Sequence, residues 1–185
     1  MLCKEAEEGN AAVACFYFDF AAQEQSPVAV LGSVLKQVVG GLGQVPERIV
    51  KAFRDRGKVI GGKRLALSEI VEFLQDISSR WCTFICIDAL DECPSGNGIK
   101  ILLLLNQILQ KSPGARIFIT GRPHILGEVE THLGPRAATR SITPTKNDII
   151  TVLREKLKED TMRGAMDEIL EEEIIRTIPE TVSEM

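Results

Sequence analysis

Asp88, Asp91 and Glu92 fall within five residues of one another, directly after the apolar run Phe84-Ile85-Cys86-Ile87. Carboxylates set against a buried strand are costly unless a cation or several hydrogen-bond donors meet them. An aspartate ending a central apolar strand is suited to hold a hard divalent cation, often through water. An acid one turn further on can orient a water molecule for attack on a phosphoryl group. Asp88 fits the metal role, and Asp91 or Glu92 fits the water-orienting role. Arg122 ends the next apolar strand, in IFITGRP, where a guanidinium would face the same rim and could touch a terminal phosphate. The plainer alternatives are a solvated acidic loop and a surface ion pair. Three acids in five residues after a fully apolar strand favour the metal–phosphate reading.

The other residue types that carry chemistry offer less. His124 and His132 have no ligand spacing and read as surface or loop residues, and no serine or cysteine has a nucleophile context. The five cysteines, at positions 3, 15, 82, 86 and 93, form no C-x-x-C pair. They read as reduced, buried thiols rather than a disulfide framework or zinc site. Tyr17 and the phenylalanines at 16, 18 and 20 read as the core of one strand, and DEILEEE at 167–173 as a solvated helix face.

A metal–nucleotide site also needs a loop whose backbone N–H groups cradle phosphates, written G-x-x-x-x-G-K-[ST]. GKVIGGKR at 57–64 matches up to its last position, where Arg64 replaces the magnesium-binding hydroxyl. It follows PERIVKAFRDR, which is charged and helical in period, whereas a phosphate loop follows a buried strand. It therefore reads as a surface loop, and the chain is expected to lack the first strand and phosphate loop of its fold.

The positioning elements follow from periodicity. AAVACFYFDF at 11–20 reads as a strand. Ser26-Pro27 caps a helix carrying Val28, Leu31, Leu35 and Val38, which Gly40-Gly41 stops. A second helix is expected over Pro46–Arg54, and a third, capped by Ser68, carries Ile70, Val71, Phe73, Leu74 and Ile77. Trp81–Ile87, apolar on both faces, reads as a central parallel strand. Ile99–Gln110 reads as a buried helix and Arg116–Thr120 as another strand. Residues 139–143 suggest a short strand, and Thr145 with Asp148 has capping-box spacing at the start of a helix bearing Ile149, Leu153 and Leu157. This order predicts an α/β fold with a parallel sheet covered on both faces and its ligands at the carboxyl ends of the strands.

Composition sets outer bounds. The chain has 185 residues, 44% hydrophobic and 26% charged, with net charge −4, as in one soluble globular domain or one domain plus part of a second. With no extended basic block, the sequence argues against nucleic acid as the main partner, because phosphate binding needs a clustered positive surface. The longest aliphatic run, Ile101–Leu105, is far short of the ~20 residues that span a bilayer. MLCKEAEEGN has no signal-peptide core, so no membrane partner and a cytoplasmic location are expected.

ACFYFDF, FICIDALDEC, IFITGRP and ITPTKNDIITVLREKL together resemble the NACHT ATPases of the signal-transducing STAND class. The likeness is to the fungal group similar to the nephrocystin-3 N-terminal domain, and it runs in order across about residues 11–185. The resemblance implies an incomplete P-loop NTPase core over 1–143 and the start of a small helical domain over 144–185. It implies that Asp88 holds the metal, that Asp91 or Glu92 assists hydrolysis, and that Arg122 senses the nucleotide. Its cofactors would be ATP or GTP with Mg2+, and its partner a second copy or a homologous NACHT protein. Family members are nucleotide-driven switches, often in fungal non-self recognition or cell death. Without a phosphate loop, nucleotide binding by this chain alone is expected to be impaired; the alternative is a non-catalytic interaction or oligomerisation fragment.

Overall fold

In the computed structural model the described residues are 11–19, 25–57, 65–94, 96–134, 137–159 and 168–183. Contacts divide the chain into two units, Met1–Ala138 and Thr139–Met185.

The first unit is mixed α/β. β1 (Ala11–Tyr17), β2 (Cys82–Asp88) and β3 (Ala115–Ile119) form one parallel sheet in the order β1-β2-β3. Parallel strands need long crossovers. Helices α1 (Pro27–Gly40), α2 (Glu47–Gly57) and α3 (Leu67–Ser78) join β1 to β2, and α4 (Asn97–Lys111) joins β2 to β3. A short α5 (Leu126–Leu133) follows β3 and packs on α4.

The sheet is covered differently from expectation. Strand order rises in one direction only, and crossovers of one hand then deliver their helices to one face. α1 packs on β1 and α3, and α3 packs on α4. Beneath them Ala12, Ala14, Thr83, Ile85, Ile87 and Ala115 are buried. The opposite face carries the alternate residues Val13, Cys15 and Tyr17 of β1, Phe84, Cys86 and Asp88 of β2, and Arg116 and Phe118 of β3. Tyr17 is 62% exposed and Phe118 61% exposed, and no described helix covers them. The core reading for Tyr17 therefore fails on strand alternation, whereas Phe18 is fully buried and Phe16 packs against the core. Phe20 lies outside the described residues.

Local signals account for most element ends. The Ser26 hydroxyl accepts from the Ala29 N–H at 3.3 Å, and Pro27 opens α1. Ser68 does not cap α3; Ala66 occupies that position, and the Glu69 carboxylate accepts from its N–H at 2.8 Å. α2 is held to α3 by Arg48, which pairs with Glu72 and Asp76 and lies over the Phe73 ring. α4 buries only one stripe, Ile101, Leu102, Leu105 and Ile108; Leu103 is exposed, so the helix is not enclosed all round. Residues 58–64 of GKVIGGKR lie outside the described residues.

In the second unit, α6 (Lys146–Glu159) packs with α7 (Glu168–Ser183). The Thr145–Asp148 pair caps α6 reciprocally. Thr145 N–H donates to Asp148 Oδ2 at 2.9 Å, and the Asp148 N–H donates to Thr145 Oγ1 at 3.3 Å. The Thr145 hydroxyl, which donates to Asp148 Oδ2 at 2.7 Å, and then the Thr145 N–H hold the Asp148 carboxyl below its usual range, so at neutral pH the cap is ionised. Residues 139–143 form no strand; all five are exposed and have no ladder partner among the described residues.

Gly114 marks the tightest approach in the first unit. A Cβ there would meet Ser78 O at 2.5 Å and Trp81 O at 2.8 Å, both rigid backbone atoms. Gly114 also receives the Thr83 N–H and donates to Ser78 O, so it aligns β2 against β3. Gly114→Ala is expected to cost about 2–3 kcal/mol in urea denaturation, at the upper end of overpacking effects. Gly127→Ala, where a Cβ meets nothing within 4 Å, should be neutral or stabilising. Equal behaviour of the two variants would refute this reading.

Candidate functional site at the carboxyl rim of the sheet

β2 and β3 run in parallel, so their carboxyl ends bring Asp88 and the TGR segment that follows β3 to one rim. The ladder extends past its last rung: Thr120 N–H donates to Ile87 O at 2.9 Å, and Leu90 N–H donates to Thr120 O at 3.0 Å. The Thr120 hydroxyl donates to Asp88 Oδ1 and accepts from the Ala89 N–H at 3.0 Å. One hydroxyl therefore orients the Asp88 carboxylate and fixes the peptide that follows it. Asp88 itself is exposed, and among the described residues its Oδ2 meets no donor.

Ala89 sits at φ 54 and ψ 47, a left-handed conformation that disfavours a Cβ by about 1–2 kcal/mol. It turns the chain sharply from β2 into the Leu90–Glu92 turn, and buried Leu90 anchors that turn in the core. The turn aims Asp91 at the strand-end segment of β3. Asp91 Oδ1 accepts from the Arg122 N–H at 3.1 Å, and Oδ2 lies 3.4 Å from Arg122 Nε. The Asp91 carboxylate is 6% exposed while the Arg122 side chain is 74% exposed. A buried anion thus holds the base of a cation whose head projects into solvent. Gly121 leaves room for this contact, because a Cβ there would run into Ile125 and lie 3.2 Å from Asp91 Oδ1.

The structure therefore brings Asp88, Asp91, Glu92 and Arg122 to one rim, and joins Asp91 directly to Arg122. Sequence reasoning missed Thr120 and Ala89. Thr120 is readable as part of IFITGRP, but its double role depends on the register of β3 against β2. His124 is exposed in the turn after Arg122, and His132 is half-buried on α5. An open cavity of about 550 Å³ lies elsewhere, between α3 and α4, lined by Val71, Glu72, Gln75, Leu104 and Gln107 among others. It gathers none of the rim residues. Among the described residues no group of three or more His, Cys, Asp or Glu side chains is placed to enclose a metal ion. No described helix is long and apolar enough to cross a membrane.

Two thiols near the rim are shifted. Burial pushes the Cys93 thiol from its usual 9.0 up to about 11. Cys86 is raised by burial and further by the neighbouring Cys15.

The family model described as Nephrocystin 3, N-terminal, matches residues 1–122. That span is more than half of the 185 residues, and the chain belongs to the nephrocystin 3 N-terminal family. No curated protein matches the chain.

Two measurements check this geometry. Asp91→Ala should cost about 1.5–3 kcal/mol, the usual range for hydrogen bonds to a charged group, and Asp91→Asn less, because its amide oxygen still accepts from the Arg122 N–H. If both variants denature like the parent chain, Asp91 is not the anchor of the rim. For Cys93, folding favours the protonated thiol, so its stabilisation is complete below pH 9.0 and is lost as pH rises through about 11. Its alkylation by iodoacetamide in the folded chain should reach half its maximum near pH 11. A half-maximum at pH 9.0, as in the denatured chain, would mean the thiol is hydrated.

Proposed function

We propose that the chain is part of a NACHT-type nucleotide-binding module, a P-loop NTPase core that serves a signalling switch. The observation that carries this reading is the exposed Asp88 carboxylate at the end of the central strand, oriented by Thr120, with Arg122 projecting from the neighbouring strand end. Magnesium suits such a rim because it commonly takes one or two carboxylates and keeps waters and substrate phosphates as its other ligands. An enclosing cage of protein ligands is then unnecessary.

Asp88 would hold the metal and Arg122 the terminal phosphate; bound Mg–ATP would supply the electrophilic phosphorus and the charge that these groups meet. Each residue has a separate task. Thr120 fixes one oxygen of Asp88 and leaves the other turned to solvent. Asp91 holds Arg122 by its backbone and Nε, leaving the outer guanidinium nitrogens to reach an anion. Asp91 or Glu92 would orient the attacking water. GKVIGGKR departs from a phosphate loop at Arg64, so phosphate contacts from this chain would be few and its affinity low.

Calorimetric titration with Mg–ATP and Mg–GTP tests the proposal on this chain and on one extended upstream through the encoded genomic segment. Weak or no binding is expected for the chain itself and metal-dependent binding for an extended chain that contains G-x-x-x-x-G-K-[ST]. In the extended chain Asp88→Ala should weaken binding at least ~10-fold, equivalent to ~1.4 kcal/mol. Arg122→Ala should narrow the preference for triphosphate over diphosphate. An extended chain that binds no nucleotide, or binds it equally well after Asp88→Ala, would overturn the proposal.

A further inference from the structure

The uncovered face of the sheet carries a feature that nucleotide chemistry does not use. Cys15 of β1 stands directly opposite Cys86 of β2 in the parallel register, and both side chains lie on the face away from α1, α3 and α4. Neighbouring strands lie about 4.8 Å apart. That spacing falls inside the Cα separation of roughly 4.4–6.8 Å that a disulfide spans. The neighbouring Cys15 adds to burial in raising the Cys86 thiol. Cys15 is exposed, whereas Cys86 is half-buried and flanked on its own face by Phe84 and Phe118.

The backbone beneath Cys15 is pinned as well. β1 is an edge strand among the described residues, and the Gln37 side chain of α1 takes the place of a further strand there. Its Oε1 accepts from the Cys15 N–H at 3.0 Å and its Nε2 donates to the Cys15 carbonyl at 2.8 Å. The Cys15 backbone is thus held by β2 on one side and by Gln37 on the other, so a bond between the two thiols requires little chain movement. Cys82 shares the face but stands four residues away along β2, roughly 13 Å at the rise of a strand and too far to bridge.

We propose that Cys15 and Cys86 form a vicinal dithiol that low-molecular-mass disulfides convert reversibly to a cross-strand disulfide. Cys15, the accessible thiol, reacts first. Its thiolate attacks one sulfur of the reagent RSSR, the reagent's S–S bond breaks, and RS− leaves and takes up a proton. Cys86 then gives up its proton and attacks the Cys15 sulfur of the mixed disulfide. The Cys15–SR bond breaks, and a second RS− leaves and is protonated. The two thiols are oxidised, and one RSSR is reduced to two RSH. Nothing in this exchange depends on nucleotide.

The test treats the folded full chain with glutathione disulfide, blocks remaining thiols with iodoacetamide, and maps the digested peptides by mass. A Cys15–Cys86 cross-linked peptide is expected as the main product and should disappear with dithiothreitol. Cys86→Ser should stop the reaction at the mixed disulfide on Cys15. Cys15→Ser should slow consumption of the reagent at least ~10-fold, since only shielded thiols remain among the described cysteines. A lasting mixed disulfide on Cys15 of the parent chain, with Cys86 still free, would overturn the proposal, as would cross-links elsewhere. Should the variants fold poorly, phenylarsine oxide on the parent chain decides: one arsenic per chain should protect both Cys15 and Cys86 from alkylation, and protection of neither would refute the pairing.

Discussion

The rim of this domain depends on one hydroxyl. Thr120 sits just past the end of β3, and its backbone carries the ladder one step beyond the last strand residue. With its peptide fixed there, its side chain can donate to Asp88 and accept from the Ala89 N–H together. The bond to the Ala89 N–H helps sustain a left-handed alanine, a conformation that otherwise costs free energy. From that bend the chain enters the turn that sends Asp91 to Arg122. Remove the Thr120 hydroxyl and three groups lose their orientation together: a carboxylate, a strained peptide, and the turn that carries a buried anion.

The second constraint is topological. Strand order rises from β1 to β3 without reversal, so the crossover helices gather on one face. The covered face becomes a dry core of aliphatic side chains and carries the stability of the unit. The uncovered face holds Tyr17, Phe118, Cys15 and Cys86, and Asp88 lies at its upper end. The same alternation that buries Ile85 and Ile87 therefore turns Cys86 and Asp88 the other way. The Asp88 carboxylate and the Cys86 thiol are neighbours here because they occupy successive positions on one side of one strand.

Much of the fold was legible because the signals were local. Ser26 with Pro27, Thr145 with Asp148, and the apolar run into Asp88 each declare a helix start or a strand end within a few residues. Errors arose where partners decide. Ser68 looked like a cap, but the Glu69 carboxylate satisfies the Ala66 N–H one turn earlier. Residues 139–143 looked extended, but a strand needs a neighbour. Tyr17 looked like core, but that depended on which face the helices would cover. The acids and the arginine could be picked out as a group, yet their division of labour could not, because Asp91 and Arg122 are 31 residues apart and meet only through the strand register.

By itself the sequence determined the element order, the central apolar strand, the acids that close it and the arginine on the next strand, since each follows from residue type and short-range spacing. Only the tertiary structure decided that Asp91 is spent on Arg122, that Thr120 aims Asp88, and that Cys15 faces Cys86. These depend on lateral register between parallel strands separated by long crossovers. A shift of one residue would turn the side chains to the opposite face and leave the composition and periodicity unchanged.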